Sequence, residues 1–264
     1  MNLQYLKDEV CDIAIEVGDF IKEECNNFNQ KNIEIKSKNS LVSYVDKTAE
    51  KRIVTFLETL LPAAGFIAEE GTSDKEGEHY NWIIDPLDGT TNFMHGIPTY
   101  SISIALKFNN EIVLGVVYEP NNKECFSAFL NGGAFLNNKP IKVSNQTKIA
   151  NSLFATGFPY YDYKKLEGYL EVLKWLMYKS RGIRRIGSAA VDLSYVACGR
   201  FEGFYEYSLN AWDVAAGALI VIEAGGIVTD FKGEKDFIFG REIIASNNSI
   251  GKEFQSKIID TFKP

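Results

Sequence analysis

The sequence predicts a mixed fold built from two unlike halves, an α+β half over residues 1–145 and an α/β half over residues 146–264. Three observations predict it. Two segments of helical period precede a run of strands joined by tight turns. After about residue 145, strands and helices alternate. The chain has 264 residues, 45% of them hydrophobic, which is enough to bury a sizeable core. No repeat, low-complexity stretch or linker separates the halves, so they are expected to share one body.

The elements follow in order. Leu3, Leu6, Val10, Ile13, Ala14, Val17, Phe20 and Ile21 recur every three or four residues, the stripe of an amphipathic helix. "VDKTAEKRIVTFLETLLP" reads as a second helix, ended by Pro62. "GFIAEEG" gives a short strand running into Glu69 and Glu70. A polar loop leads to the strand "NWII". In "SISIALKF", Ile102, Ile104, Leu106 and Phe108 alternate with small or polar residues. Asn109-Asn110 turns the chain, "EIVLGVVYEP" returns, and "KECFSAFL" and "AFLNNKPIKV" extend an antiparallel meander. In the second half, "NSLFATGF", "GIRRI", "FEGFYEY", "GIVTD" and "EIIAS" read as strands. "YKKLEGYLEVLKWLMYKS", "SAAVDLSYVACG", "DVAAGALIVIEAGG" and the C-terminal segment read as helices. Gly225 and Gly226 close the third of these.

Charge and composition narrow the function. A net charge of -7 disfavours non-specific binding to nucleic acid or an anionic membrane. A phosphate ligand would need something positive to offset the repulsion, and a metal ion is the obvious candidate. The four cysteines, Cys11, Cys25, Cys125 and Cys198, are scattered, and His79 and His95 are the only histidines. That excludes a zinc finger and fits a reducing cytoplasm. Charges interrupt the N-terminal segment throughout, so it reads as neither a signal peptide nor a membrane span.

The chemistry concentrates in "WIIDPLDGTTNF", residues 82–93. Asp85 and Asp88 stand three residues apart where a buried strand ends, with Pro86 stiffening the turn and Gly89 allowing a tight bend. Two unneutralised carboxylates so close repel, and one tends to stay protonated. A divalent cation removes the conflict, and hard oxygen donors, with the Leu87 carbonyl as a further one, suit Mg²⁺. A turn in which aspartates cap backbone amides is the plainer alternative. Glu69 and Glu70 taken singly would be a solvated loop pair, and Asp213 a helix N-cap. Together with Asp85 and Asp88 they resemble a site for several metals.

Three segments carry a resemblance. "WIIDPLDGTTNF" and "WDVAAGALIVIEAGG" resemble the two signatures of the inositol monophosphatase family of metal-dependent phosphatases, and "IGSAAVDLSYVACGRFEGFYE" matches the segment between them. The similarity runs through nearly the whole chain. It implies a layered αβαβα sandwich of the sugar-phosphatase type, two or three Mg²⁺ per active site, lithium sensitivity, a cytoplasmic location and commonly a homodimer. Carried over by position, Glu69, Asp85 and the Leu87 carbonyl would hold one metal, and Asp85, Asp88 and Asp213 a second. Glu69 would also help to hold a third, mostly water-bound ion. Thr90 resembles the family's water-positioning threonine and Asp46 its hydrogen-bonded partner; Asp46 could equally cap the second helix. Glu69, Thr90 and Asp46 are thus the implied catalytic residues. Asp88, Gly89, Thr90 and Asp213 would meet the phosphate end of the substrate, with backbone amides at Gly89 and Thr90 as the anion donors. Gly187, Ser188 and Ala189 match a sugar-binding turn, and Glu206 a glutamate that accepts from ring hydroxyls. Thr91 and Asn92 shape the turn. Lys36 resembles a family lysine near the metals.

The chain departs from the family pattern at Ser40, where an acid is frequent, at Ala68 and Asn138, where glycines are, and at Asn210, a variable position bordering the substrate. These touch substrate preference, not the metal ligands. The implied activity is hydrolysis of inositol monophosphate to inositol and phosphate. Fructose 1,6-bisphosphate or another sugar or nucleotide phosphate is the alternative substrate, and a non-catalytic regulator retaining the fold is the alternative of another class. A phosphatase forming an aspartyl-phosphate is disfavoured, because its acids are separated by one residue and Asp85 and Asp88 by two.

Overall fold

The computed structural model describes residues 1–27, 33–37 and 40–263, with side chains outside 27–43. The side chains of Lys36 and Ser40 therefore lie outside the described residues. Five layers stack. The first holds helices α1 (Leu3–Asn27) and α2 (Tyr44–Leu60). They pack on a seven-stranded sheet of β3 (Gly65–Ala68), β4 (Tyr80–Asp88), β5 (Ser101–Phe108), β6 (Glu111–Glu119), β7 (Glu124–Phe129), β8 (Gly133–Leu136) and β9 (Lys139–Ile141), in that spatial order. The hairpin β1 (Ile33–Ser37) and β2 (Ser40–Ser43) precedes α2, and the one-turn helix α3 (Thr90–Met94) follows β4. Neither had been expected from the sequence. The seven-stranded sheet also departs from a pure antiparallel meander, because β3 and β4 pair in parallel.

Helices α5 (Ala189–Ala197) and α6 (Ala211–Glu223) cover the other face of this sheet. On them lies a second sheet, in the order β11 (Gly182–Arg184), β10 (Leu153–Thr156), β12 (Gly203–Tyr207), β14 (Glu242–Ser246), β13 (Ile227–Thr229). Its β10 pairs in parallel with β11 and β12, and β14 pairs antiparallel with β12 and β13. Helices α4 (Leu166–Lys179) and α7 (Asn248–Phe262) form the outermost layer. The order is the expected αβαβα sandwich.

The layering follows from which faces are apolar. The periodic stripe on α1 (Leu6, Val10, Ala14, Val17, Ile21) is buried against the large sheet with Ile53 and Leu57 of α2 and the inward residues Trp82, Ile84, Ile102, Ile104 and Leu106. The alternate residues Ile83, Ala105 and Val117 point the other way, into a core shared with α5, α6 and the small sheet's Phe204, Ile243 and Ala245. A strand's two-residue period sends neighbouring side chains to opposite faces, so sheets covered on both sides become apolar on both sides. Helix α6 is apolar all round for the same reason: it lies between two sheets. A third core, with Phe154, Tyr205, Leu176 and Phe254, joins the small sheet to α4 and α7.

Candidate active site

A cleft opens where the C-terminal end of β4 meets the N-terminal ends of α5 and α6. Glu69, Asp85, Leu87, Asp88, Gly89, Thr90, Gly187, Ser188, Ala189, Glu206 and Asp213 all line it, as does Asn210. Residues expected from both halves of the sequence are thus brought together. Asp46 stands behind the cleft wall, in contact with Thr90.

β4 places its acids through a bulge. Asp85 pairs with Ser103 and Asp88 with Ser101, so three steps on β4 oppose two on β5. The extra residue lets Asp85 and Asp88 face the same side although they are an odd number of residues apart. The Leu87 amide donates to Asp85 Oδ1 at 2.9 Å and holds that carboxyl in place. Gly89 follows at φ +95°, and a Cβ there would lie 3.2 Å from the carbonyl oxygens of Gly187 and Thr99. The left-handed turn and the close approach of the two segments both require glycine.

Asp88 is held from across the core. Its Oδ2 accepts from Ser188 Oγ at 2.6 Å and from the Ala190 amide at 2.8 Å. Ser188 is the N-cap of α5, accepting from the Val191 amide at 3.2 Å, and it also meets Ser101 Oγ at 3.1 Å. Asn92 spans the same seam: its Nδ2 donates to the Thr99 and Ile186 carbonyls at 2.7 and 2.9 Å. That is the turn-shaping role expected of it.

Two bland alternatives resolve in geometry. Asp213 is not the N-cap of α6. Asn210 is, and Asp213 is the third helical residue, accepting from the Asn210 amide at 2.6 Å as half of a capping box. Asp46 sits inside the first turn of α2 rather than before it, and is 1% exposed. Its Oδ1 lies 3.3 Å from Thr90 Oγ1, which is also 3.0 Å from the Leu87 carbonyl. Glu69 and Glu70 follow the last residue of β3 rather than end the strand. Their loop is pinned by Glu50, a fully buried acid on α2 that accepts from the Glu70 amide at 2.7 Å and the Thr72 amide at 2.8 Å. Glu50 had not been singled out from the sequence. Its only signal is an acid on the inward side of an amphipathic helix.

The electrostatics show strain. Burial pushes Asp85 well above the carboxylate range, and the negative charges of Glu69, Asp88 and Asp213 push it further. Burial raises Asp88 to about 6, although the Ser188 and Ala190 hydrogen bonds oppose it. Asp213 is raised to about 8 by burial and by Asp88, and Glu206 to about 8 by burial, with Arg185 opposing. These acids are mutually destabilising as ions, which a divalent cation would relieve. The donors are all oxygen, which suits a hard cation. Among the described residues no three acidic, histidine or cysteine side chains converge into a ready-made cage. Mg²⁺ usually keeps several waters, so carboxylates spread along one cleft can hold it partly through water without such a cage. The residues present fit Mg²⁺.

Sequence reasoning did not single out the far wall. Gly157, Phe158, Tyr160, Tyr161, Arg185 and Asp192 also line the cleft. Only Asp192 carries a sequence signal, a lone acid within the apolar helix "SAAVDLSYVA".

The chain resembles proteins of known family along its whole length. Residues 2–263 match the model of the inositol monophosphatase family. An inositol-1-monophosphatase of Mesorhizobium japonicum is 38% identical over 238 residues, 90% of each chain. A Nus factor SuhB of Pseudomonas aeruginosa is 39% identical over 250 residues, 93% of this chain and 92% of that one. The crystal structure of the extragenic suppressor protein suhB from Bartonella henselae superposes with a TM-score of 0.91, at 38% identity, covering 96% of this chain and 98% of that one. With its motif acids gathered in one cleft of the expected sandwich and its whole length matched, the chain belongs to the inositol monophosphatase family.

Proposed function

We propose that the protein is a Mg²⁺-dependent phosphomonoesterase that hydrolyses inositol monophosphate by direct attack of water. One observation carries the proposal: Glu69, Asp85, Asp88 and Asp213 converge on the cleft that also holds the hydroxyl-reading candidates Ser188 and Glu206. Two or three Mg²⁺ held by Glu69, Asp85, the Leu87 carbonyl, Asp88 and Asp213 would lower the pKa of water and stabilise charge on the leaving oxygen.

The chain's own groups do the rest. Thr90 has one hydroxyl proton and two acceptors in reach, Asp46 Oδ1 and the Leu87 carbonyl. Donating to Asp46 leaves the Thr90 lone pairs to orient a water, and a proton taken from that water is balanced by passing the hydroxyl proton to Asp46. Buried Asp46 is the acceptor behind it. Asp213 is locked by its capping bond, and Asp88 by Ser188 and Ala190, so neither must be ordered when substrate enters. Glu206, 7% exposed, faces the alcohol portion as an acceptor for ring hydroxyls.

The experiment is phosphate release from inositol 1-phosphate, fructose 1,6-bisphosphate and adenosine 3',5'-bisphosphate, with and without Mg²⁺. Asp85→Asn should lose about 4 kcal/mol of transition-state stabilisation, roughly a thousandfold in rate. Near-normal turnover by that variant would defeat the ligand assignment, and a trapped phosphoryl-enzyme would defeat direct attack. A preference for fructose 1,6-bisphosphate would move the substrate and keep the mechanism. Because several relatives are named Nus factors, a regulatory role is the second reading. Folded protein with no Mg²⁺-dependent release from any of the three esters would favour it.

A further inference from the structure

A second buried acid faces the substrate end of the cleft. Asp192, in the first turn of α5, is 1% exposed and lines the cleft. Its Oδ1 is buried with no hydrogen-bond partner among the described residues. An unsatisfied buried polar group costs about 1–3 kcal/mol, more than the roughly 0.3–1 kcal/mol that an acid in the first turn of a helix gains from its dipole. Ser188 already caps α5, and the neighbours Val191 and Leu193 are fully buried and apolar. A residue that only filled space here would be apolar too.

Its surroundings suggest what it is for. The carboxyls of Glu206 and Asp88 act on it electrostatically, as does the Arg185 guanidinium. Arg185 makes its side-chain contacts with the half-exposed rings: it donates to the Tyr160 hydroxyl and lies 5.7 Å from the ring centres of Phe158 and Tyr160. Two acids of different elements, Asp192 from α5 and Glu206 from β12, thus line the cleft close enough to act on each other, with neither hydrogen-bonded to Arg185.

We propose that Asp192 is a second hydroxyl-reading residue beside Glu206, so that the site selects a polyol phosphate bearing neighbouring hydroxyls. This rests on the phosphomonoesterase reading above and names its substrate class more narrowly. A substrate hydroxyl donating to Asp192 supplies a partner that the protein leaves out. An ester without that hydroxyl leaves the group unpaired.

The test compares kcat and KM of wild type, Asp192→Leu and Asp192→Asn on inositol 1-phosphate, a deoxy-inositol phosphate lacking one ring hydroxyl beside the ester, and p-nitrophenyl phosphate. Leucine is close in size and removes both acceptors; asparagine keeps the shape and one acceptor. Asp192→Leu should lose roughly tenfold in kcat/KM on inositol 1-phosphate, chiefly through KM, and change by less than about twofold on p-nitrophenyl phosphate. Asp192→Asn should lose less, and on the polyol only. Removing one of the two neighbouring hydroxyls should impair wild type by a similar factor and impair Asp192→Leu little further, as coupled groups do. Equal losses on both esters would mean that Asp192 acts through Asp88 and would overturn the inference. So would unchanged kinetics in folded Asp192→Asn, the result expected if a water satisfies the carboxyl. Wild type that releases no phosphate from any ester would instead overturn the phosphomonoesterase reading itself.

Discussion

Stripped of metal, the protein should lose stability as pH rises from about 4 to about 8, the reverse of ordinary acid denaturation. The perturbation is pH alone, in the presence of a chelator. Asp88 goes from an ordinary 3.8 to about 6 on folding, Asp213 from 3.8 to about 8, and Glu206 from 4.5 to about 8, in each case chiefly by burial. The folded state therefore holds protons that the unfolded chain has released. For raised pKa values that stability is complete below the unfolded values, near 4, and lost as pH climbs through the folded ones, from about 6 to about 8. Asp88 alone, raised by about two units, contributes about 3 kcal/mol at 1.36 kcal/mol per unit. Asp213 and Glu206 add to this without summing independently, since Asp88 is among the causes of both shifts. Even the smallest figure is a large part of a typical domain's 5–15 kcal/mol. Urea unfolding midpoints at about pH 4 and about pH 8 in chelator measure the loss. Millimolar Mg²⁺ should restore the midpoint at the upper pH, because a ligand bound only by the native state stabilises it, and do little at the lower. Glu206→Gln should flatten the upper part of the profile. A midpoint that rises with pH in chelator would refute the electrostatic account.

Three further outcomes are expected. Ser188→Ala removes the cap of α5 and the 2.6 Å hydrogen bond to Asp88. It should cost about 2–3 kcal/mol in urea unfolding at neutral pH, and an unchanged midpoint would show that Asp88 does not depend on it. Gly157→Ala would place a Cβ 2.0 Å from the Glu206 carboxyl, displacing it. Because Glu206 is assigned to reading ring hydroxyls, kinetics should show a loss on inositol 1-phosphate with p-nitrophenyl phosphate spared, and equal loss on both would contradict the assignment of Glu206 to recognition. Lithium at millimolar concentration should inhibit if Asp85, Asp88 and Asp213 form the second metal position; a Mg²⁺-dependent enzyme indifferent to lithium would mean that this position is built differently.

Much of the architecture was legible because it is written in period. The stripe on α1, the alternation in β5 and the alternating elements after about residue 145 are local patterns, and the layers follow from which faces they leave apolar. What escaped was decided elsewhere. The parallel pairing of β3 with β4 depends on how the chain crosses between them, which no local period encodes. Helix α3 is one turn long and has no room for a period. At the site, Glu69, Asp85, Asp88 and Asp213 stood out as acids beside apolar runs. Glu50, Arg185 and Asp192 were not singled out, because their roles are relations between segments: Glu50 holds the loop after β3, Arg185 meets Tyr160 across the cleft, and Asp192, a lone acid in an apolar helix, acquires meaning only when α5 is laid against β12.

The same seam explains why site and fold cannot be separated in this chain. Asp88 is a β4 residue held by the N-terminus of α5 through Ser188 and Ala190. Asn92, four residues on, binds the Ile186 carbonyl, and Gly89 lies against that of Gly187. Residues before 145 and after 146 thus meet through the very segment that carries the acids. Each contact that aims Asp88 also seats α5 on the large sheet. A substitution that loosens the seam should disturb ligand geometry before it unfolds the protein, because a misplacement of about 1 Å already costs about a hundredfold in rate, whereas one lost hydrogen bond costs only about 1 kcal/mol of stability. Asn92→Ala is the direct case. It removes two seam hydrogen bonds and no proposed ligand, and it should depress turnover on both inositol 1-phosphate and p-nitrophenyl phosphate by a larger factor than its unfolding equilibrium shifts. Full activity in that variant would show that the acids hold their places without the seam.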